Sequence, residues 1–145
     1  MSTLHILFRV ADAEYVLPAS DVLHMESFGG ATHVPGTPPH VVGLMQIRQR
    51  LVPIVSLRAR FGLPPVEATL DTRVVVVQDG QRVVGLLVDS AREIMKLGAE
   101  QFSPPPSLIA EQAAGYVTSV LQTGARLLML IDFKKVIGEE VHHGQ

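Results

Sequence analysis

The sequence contains no cysteine and no tryptophan, and phenylalanine and tyrosine together account for only 5% of its 145 residues. Without cysteine there can be no disulfide and no thiolate metal site. With so few aromatic residues, any core must be mainly aliphatic. The hydrophobic fraction of 47% is ample for such a core, and the length predicts one domain or two small halves that share a core.

Excess charge and long apolar runs are also missing. The net charge is −2, whereas a general nucleic-acid binder carries a basic patch or stripe, so we expect no nucleic-acid partner. No apolar run reaches the roughly 18 residues that a membrane span requires. The first residues lack the charged and apolar segments of a signal peptide. These features predict a cytoplasmic protein without direct membrane insertion.

Motifs for catalysis or cofactor binding are absent. There is no nucleophile elbow, no P-loop and no Rossmann glycine fingerprint, so we expect neither an enzyme nor a cofactor site. His33 and His40 lie in a proline-rich loop without a His-Glu-x-x-His helix pattern. His142 and His143 read as part of a polar C-terminal tail. The sequence therefore predicts no metal site.

The clearest positive signal is a hairpin in which apolar runs at 42–47 and 51–57 flank a tip of Gln and Arg. The pattern is typical of two paired strands, although the tip lacks the Asn-Gly or Asp-Gly of a common two-residue turn. Arg48 and Arg50 either keep the tip soluble or offer an arginine fork to a partner's carboxylate or backbone carbonyl. Arginine is enriched among the residues that dominate binding energy at interfaces.

The two halves of the chain repeat one order of elements. Each reads as strand, turn, strand, third segment, proline loop, strand, turn, strand and a short helix capped by Ser56 or Asp132. Closing each five-stranded sheet into a barrel would remove its exposed edges. We therefore predict an all-β fold of two five-stranded barrels with short connecting helices, one at about 4–62 and the other at about 73–137. A short polar tail follows.

Four segments, in order and at matching spacing, resemble the CheW-like chemotaxis coupling family between about Leu4 and Ile137. They are residues 14–22, residues 34–62, residues 81–89 and residues 116–130. The resemblance implies a single CheW-like domain made of two SH3-like barrels. It also implies a non-enzymatic adaptor for chemotaxis signal transduction in a two-component system, located in the cytoplasm at membrane-associated receptor arrays.

The same resemblance implies two protein partners. One is the cytoplasmic tip of a chemoreceptor, held along a groove between the barrels, and the other is the regulatory, CheW-like domain of a histidine kinase. The implied receptor-binding residues are Val22, His24, Val34, Gly43 and Arg48. The implied kinase-binding residues are Val84, Gly85 and Ile94.

The chain departs from the family pattern at the hairpin tip. Relatives usually have Asn-Leu-Arg-Gly where this chain has residues 46–49, Gln-Ile-Arg-Gln, and an acidic residue where it has His24. Arg48 is therefore either unpaired or paired with Glu26. A glutamine in place of a turn glycine with positive φ would cost about 1 kcal/mol, so we expect a different turn type. Our hypothesis is an adaptor with an altered receptor contact.

A second hypothesis comes from another functional class. A small-ligand-sensing regulatory module would use the groove between the barrels as its pocket. Such a pocket needs a few convergent polar groups among apolar walls.

Overall fold

The computed structural model describes residues 2–107 and 115–138. Within these ranges the chain forms ten strands, two single-turn 3₁₀ helices at Ala19–Asp21 and Ala99–Gln101, and two short α-helices. The strands are β1 (Ser2–Val10), β2 (Ala13–Pro18), β3 (Val22–Ser27), β4 (Val41–Ile47), β5 (Arg50–Ser56), β6 (Arg73–Asp79), β7 (Arg82–Val88), β8 (Ser90–Gly98), β9 (Val117–Thr123) and β10 (Arg126–Ile131). The helices are α1 (Leu57–Arg60) and α2 (Phe133–Ile137).

The strands form two five-stranded sheets, each of which is an SH3-like β-barrel. Barrel A has the strand order β8-β1-β2-β10-β9, and barrel B has the order β3-β6-β7-β5-β4. Most neighbours are antiparallel, but β2 pairs with β10 and β7 pairs with β5 in parallel. The predicted all-β fold of two five-stranded barrels is confirmed.

The barrels are not the two consecutive halves that we predicted at 4–62 and 73–137. The hairpin β1–β2 leaves the first half and joins barrel A, while the hairpin β6–β7 leaves the second half and joins barrel B. The prediction failed because a repeated order of elements fixes neighbours along the chain but not long-range strand pairing. The tail with His142 and His143 lies outside the described residues.

The two barrels are related by an approximate twofold symmetry, which includes the exchange of the hairpins β1–β2 and β6–β7. Each strand of β1–β5 corresponds to the strand five places later, and every ladder of one barrel has its counterpart in the other. The parallel pair Leu130–Val16 corresponds to Ile54–Gly85. A β-bulge interrupts β1–β8, and its counterpart interrupts β6–β3. Residues can therefore be matched between barrels one by one.

The largest apolar cluster joins the two barrels. Phe8 and Leu17 of barrel A pack with Val75 and Leu86 of barrel B and with Leu57 of α1. Each barrel also has its own smaller interior cluster. Most of the buried apolar residues therefore belong to the core that the two barrels share.

The few aromatic side chains are concentrated at this shared core. Phe8, Tyr15, Phe61 and Tyr116 form a continuous series with ring centroids 5.2–5.8 Å apart. Arg60 lies 5.4 Å above the Tyr116 ring and donates to the Val136 carbonyl oxygen at 2.7 Å, which ties α1 to α2.

Polar contacts fix the helix starts and connect the barrels. Ser56 Oγ accepts from the Ala59 amide at 3.1 Å, as the sequence predicted, and the predicted cap Asp132 accepts from Lys134. Asp89 accepts from Arg58 at 2.7 Å and from the Ala11 amide at 2.7 Å. Burial raises the pKa of Asp89, but these two hydrogen bonds and the charge of Arg58 together outweigh it, so the net pKa is below the ordinary value.

Among the described residues no helix is long and apolar enough to span a membrane.

Candidate functional site

The tip of the β4–β5 hairpin is a two-residue turn formed by Arg48 and Gln49. Ile47 pairs directly with Arg50, and φ is +50° at Arg48 and +67° at Gln49. Positive φ at both central positions is the signature of a type I′ turn. Our expectation of a different turn type was wrong. The right-handed twist of the flanking strands favours the primed turn, and the tip adopts it despite two unfavourable side chains.

Arg48 is held by an acidic residue on strand β3, which stands at the other end of the strand order from β4. Its Nε lies 3.2 Å from Glu26 Oε2, and the Arg48 side chain is 66% exposed. Of the two alternatives, pairing with Glu26 is therefore confirmed. An exposed ion pair of this kind contributes only about 0.2–1 kcal/mol, so a partner can recruit Arg48 at little cost.

Beside this ion pair lies a cavity of about 340 Å³, which we call the tip cavity. It brings together two predicted receptor-binding residues, His24 and Arg48, with Arg50 of the hairpin. The remaining lining residues are Leu23, Ile47, Gln49, Val52, Val76 and Val83. Two arginine side chains thus border a cavity whose accessible walls are mainly polar.

Arg50 was considered with Arg48 in the sequence but was not among the implied receptor-binding residues. Leu23, Gln49 and Val83 were missed as well. Leu23 directly precedes His24 in the sequence, whereas Gln49 and Val83 come close to His24 only in the folded chain. The alternating pattern of β7 was the one available signal that Val83 and Val84 face opposite sides of a sheet.

The other three predicted receptor-binding residues, Val22, Val34 and Gly43, make contacts within the fold. Val22 is half-buried against the shared core, and the Val34 carbonyl accepts from Thr37 Oγ1 at 2.8 Å within its loop. Gly43 has φ +152°, and a Cβ there would collide with the backbone carbonyl of Thr32. The tip cavity does not include any of the three.

The predicted kinase-binding residues separate into buried and exposed positions. Val84 is only 4% exposed within the shared core. Gly85 is buried in barrel B, where a Cβ would press on Val74 and Ile54. Both positions serve packing within the chain, and their role in kinase binding stays a prediction. Ile94 is 62% exposed on β8 and is open to a partner.

The described residues include no group of three or more His, Asp or Glu positioned to hold a metal ion. His40 Nδ1 lies 3.4 Å from the Arg60 guanidinium. Burial lowers the pKa of His40, and the Arg60 charge lowers it further. A positive neighbour at this distance opposes binding of a second cation.

A second cavity, of about 310 Å³, lies between barrel B and the connection that follows α1. Its walls are mostly apolar, as the small-ligand hypothesis requires. Arg58 and Asp89 line it, but they are hydrogen-bonded to each other and to the backbone. These charged groups are therefore engaged within the fold.

Comparison with known proteins gives a consistent result. The model of the CheW-like domain matches residues 5–141. The chemotaxis protein CheW of Klebsiella aerogenes is 32% identical over 93% of this chain and 81% of its own length. That of Rhizobium meliloti is 30% identical over 93% and 87%.

The chain belongs to the CheW-like family. The scaffolding protein TtCheW from Thermoanaerobacter tengcongensis superposes with a TM-score of 0.86 over 96% of this chain and 90% of that one. At 24% identity this likeness concerns the fold. Family membership makes the chain a chemotaxis-type signalling adaptor, with the tip cavity on barrel B and Ile94 on barrel A as its candidate contact sites.

Proposed function

We propose that this CheW-like adaptor couples the cytoplasmic tip of a chemoreceptor to the regulatory domain of a histidine kinase. The observation that carries the proposal is the family match over residues 5–141. An adaptor also needs two surfaces that do not overlap. Two such surfaces are available, because the tip cavity belongs to barrel B and Ile94 belongs to barrel A.

The surface proposed for the kinase carries two exposed apolar side chains on one sheet face. Ile94 on β8 pairs with Ile6 of β1, and Leu4 pairs with Lys96, so Leu4 and Ile94 lie diagonally on one face of the sheet. Leu4 is 48% exposed and Ile94 is 62% exposed. Exposed apolar patches on soluble proteins mark interaction sites, and a domain that packs barrel against barrel would cover this one.

The surface proposed for the receptor is the tip of the β4–β5 hairpin. Arg48 projects from a turn whose backbone is held in the left-handed region, and His24 lies beside it. A helical receptor tip could place apolar residues over Leu23 and Val83 and polar residues against Arg48.

We test the proposal by measuring the affinity of the chain for a kinase regulatory domain and, separately, for a receptor tip fragment. Ile94→Glu should weaken kinase binding about tenfold or more, because it places a charge at the centre of an apolar contact. It should leave receptor binding unchanged. Arg48→Ala should show the opposite pattern.

The matched control is Leu70→Glu. Leu70 is 95% exposed on the connection between α1 and β6. It neither lines the tip cavity nor belongs to β1 or β8, and its substitution should affect neither partner. A wild-type chain that bound neither partner would refute the coupling function. Equal effects of the Ile94 and Leu70 substitutions would refute the assignment of the kinase surface.

A further inference from the structure

The correspondence between the barrels identifies the counterpart of Arg50. Arg50 pairs with Ile47 at the first position of β5, and Arg126 pairs with Thr123 at the first position of β10. Since β5 and β10 are equivalent strands, Arg126 of barrel A stands where Arg50 stands in barrel B. The surroundings of the two arginines can therefore be compared directly.

Arg126 is surrounded by carboxylates. It donates to both oxygens of Glu14, at 2.9 and 3.1 Å. It also donates to both oxygens of Glu93, at 3.0 and 3.2 Å. The hydrogen bonds from Arg126 hold the pKa of Glu14 below its ordinary value. Barrel A thus supplies two acidic partners for this guanidinium group from its own strands β2 and β8.

Barrel B lacks both of these carboxylates. The pair Leu7–Glu93 corresponds to Val76–His24, so His24 takes the place of Glu93. The pair Arg9–Glu14 corresponds to Gln78–Val83, so Val83 takes the place of Glu14.

Arg50 is left without an internal acidic partner. Across residues 2–107 and 115–138, its guanidinium makes no ion pair with any Asp or Glu. It lines the tip cavity instead, together with His24 and Val83. The space that the acidic side chains fill in barrel A is therefore open in barrel B.

We propose that the tip cavity receives an Asp or Glu side chain of the partner protein, whose carboxylate pairs with Arg50. The guanidinium fork of arginine binds a carboxylate through two parallel hydrogen bonds. The apolar side chains of Leu23 and Val83 at the border of the cavity would cover the methylene groups of the incoming side chain. This inference rests on the proposed function, in which the receptor tip binds at the same hairpin.

The first test is charge reversal at Arg50. Arg50→Glu should weaken binding of a receptor tip fragment at least tenfold, and Arg50→Lys should retain part of the affinity. The matched control is Lys96→Glu, an equal change of charge at an exposed position of barrel A, which should change affinity less than twofold. Equal affinities for wild type, Arg50→Glu and Lys96→Glu would overturn the proposal.

The second test introduces acidic residues of the chain itself beside Arg50. His24→Glu with Val83→Glu restores in barrel B the acidic residues that surround Arg126 in barrel A. These carboxylates should pair with Arg50 and weaken receptor-fragment binding at least tenfold. The unfolding midpoint of the variant, measured alongside, verifies that it is folded. A folded double variant with undiminished binding would contradict the proposal.

The third test needs no receptor. A synthetic helical peptide with surface glutamates is titrated against the isotope-labelled chain, and a lysine-containing peptide of equal length serves as the control. Only the acidic peptide should shift the amide signals of residues 48–50, and Arg50→Glu should abolish the shifts. These shifts would support the proposal even if the receptor fragment failed to bind. Failure of the receptor fragment to bind would refute the coupling function instead. Their absence would overturn the proposal.

Discussion

Arg48 and Gln49 adopt a backbone conformation that most side chains avoid, at the point where the candidate receptor site is presented. The left-handed conformation costs roughly 1–2 kcal/mol for a residue with a Cβ. Strained backbone of this kind clusters at binding sites, where it fixes the direction of a side chain. The cost is consistent with selection for the Arg48 side chain at this position rather than for folding alone.

The first residue-scale prediction concerns Gln49. Gln49→Gly should raise the free energy of unfolding by about 0.5–1 kcal/mol, because glycine adopts positive φ without steric cost but loses more chain entropy on folding. Urea denaturation would measure the change. Gln49→Ala is the control, since alanine keeps the Cβ and should give no gain. Equal effects of the two substitutions would show that strain at Gln49 is negligible.

At the scale of elements, the cluster around Arg126 connects three strands of barrel A. Glu14 belongs to β2, Glu93 to β8 and Arg126 to β10. Glu14 is 15% exposed, and Arg126 is 38% exposed. The pair with Glu14 is therefore better shielded from solvent than the pair between Arg48 and Glu26, and its loss should be measurable.

Arg126→Gln should lower the free energy of unfolding at neutral pH by about 1–2 kcal/mol, a range that allows for solvent screening of the partly exposed arginine. Because the native pKa of Glu14 lies below its ordinary value of 4.5, the stabilisation is complete above that value. It is lost as the pH falls through the lower native pKa. Urea denaturation between about pH 7 and pH 3 should show the difference from wild type shrinking only at the acidic end.

Arg92→Gln is the control for this titration. Arg92 pairs with Asp71, and both side chains are more than half exposed. Exposed ion pairs contribute little, so the substitution should change the unfolding free energy only slightly at every pH. An equally large effect at Arg92 would mean that the Arg126 effect reflects net charge rather than the specific hydrogen bonds.

Most individual elements could be predicted from the sequence because their signals are local. The caps at Ser56 and Asp132 and the apolar runs of the strands are encoded by neighbouring residues. Pairing of Arg48 with Glu26 was one of two alternatives, since Glu26 follows His24 by two positions and lies on the same side of the strand.

The rest of the site depends on contacts between distant segments. No residue close to Val84 in the sequence indicates whether Val84 belongs to the shared core or lies on an outer face. Likewise, the absence of acidic partners around Arg50 becomes visible only when His24 and Val83 are matched with Glu93 and Glu14 across the two barrels. Such matches require the register of long-range ladders.

At the scale of the whole molecule, the shared core determines how the stability of each barrel responds to a substitution in the core. Leu86 is fully buried between them. Leu86→Ala should cost about 2–5 kcal/mol, the range observed for buried leucines. The loss should appear in both barrels, because side chains of barrel A pack against the same cluster as Leu86.

Native-state hydrogen exchange would measure this loss strand by strand. The slowest amides of β1 and β10 in barrel A should lose as much protection as those of β6 and β7 in barrel B. Leu51→Ala, at a position that is 65% exposed, is the control and should leave both sets nearly unchanged. A loss confined to barrel B would show that the barrels unfold independently.

The exchanged hairpins have a consequence for any attempt to divide this protein. A cut in the connection between α1 and β6 would give two pieces, each holding two strands of one barrel and three of the other. Neither piece could complete a barrel alone, and each would leave open sheet edges. When the pieces are mixed, their open edges can form hydrogen bonds only if both barrels reassemble at once. This connection is therefore a natural position for a split reporter of adaptor assembly.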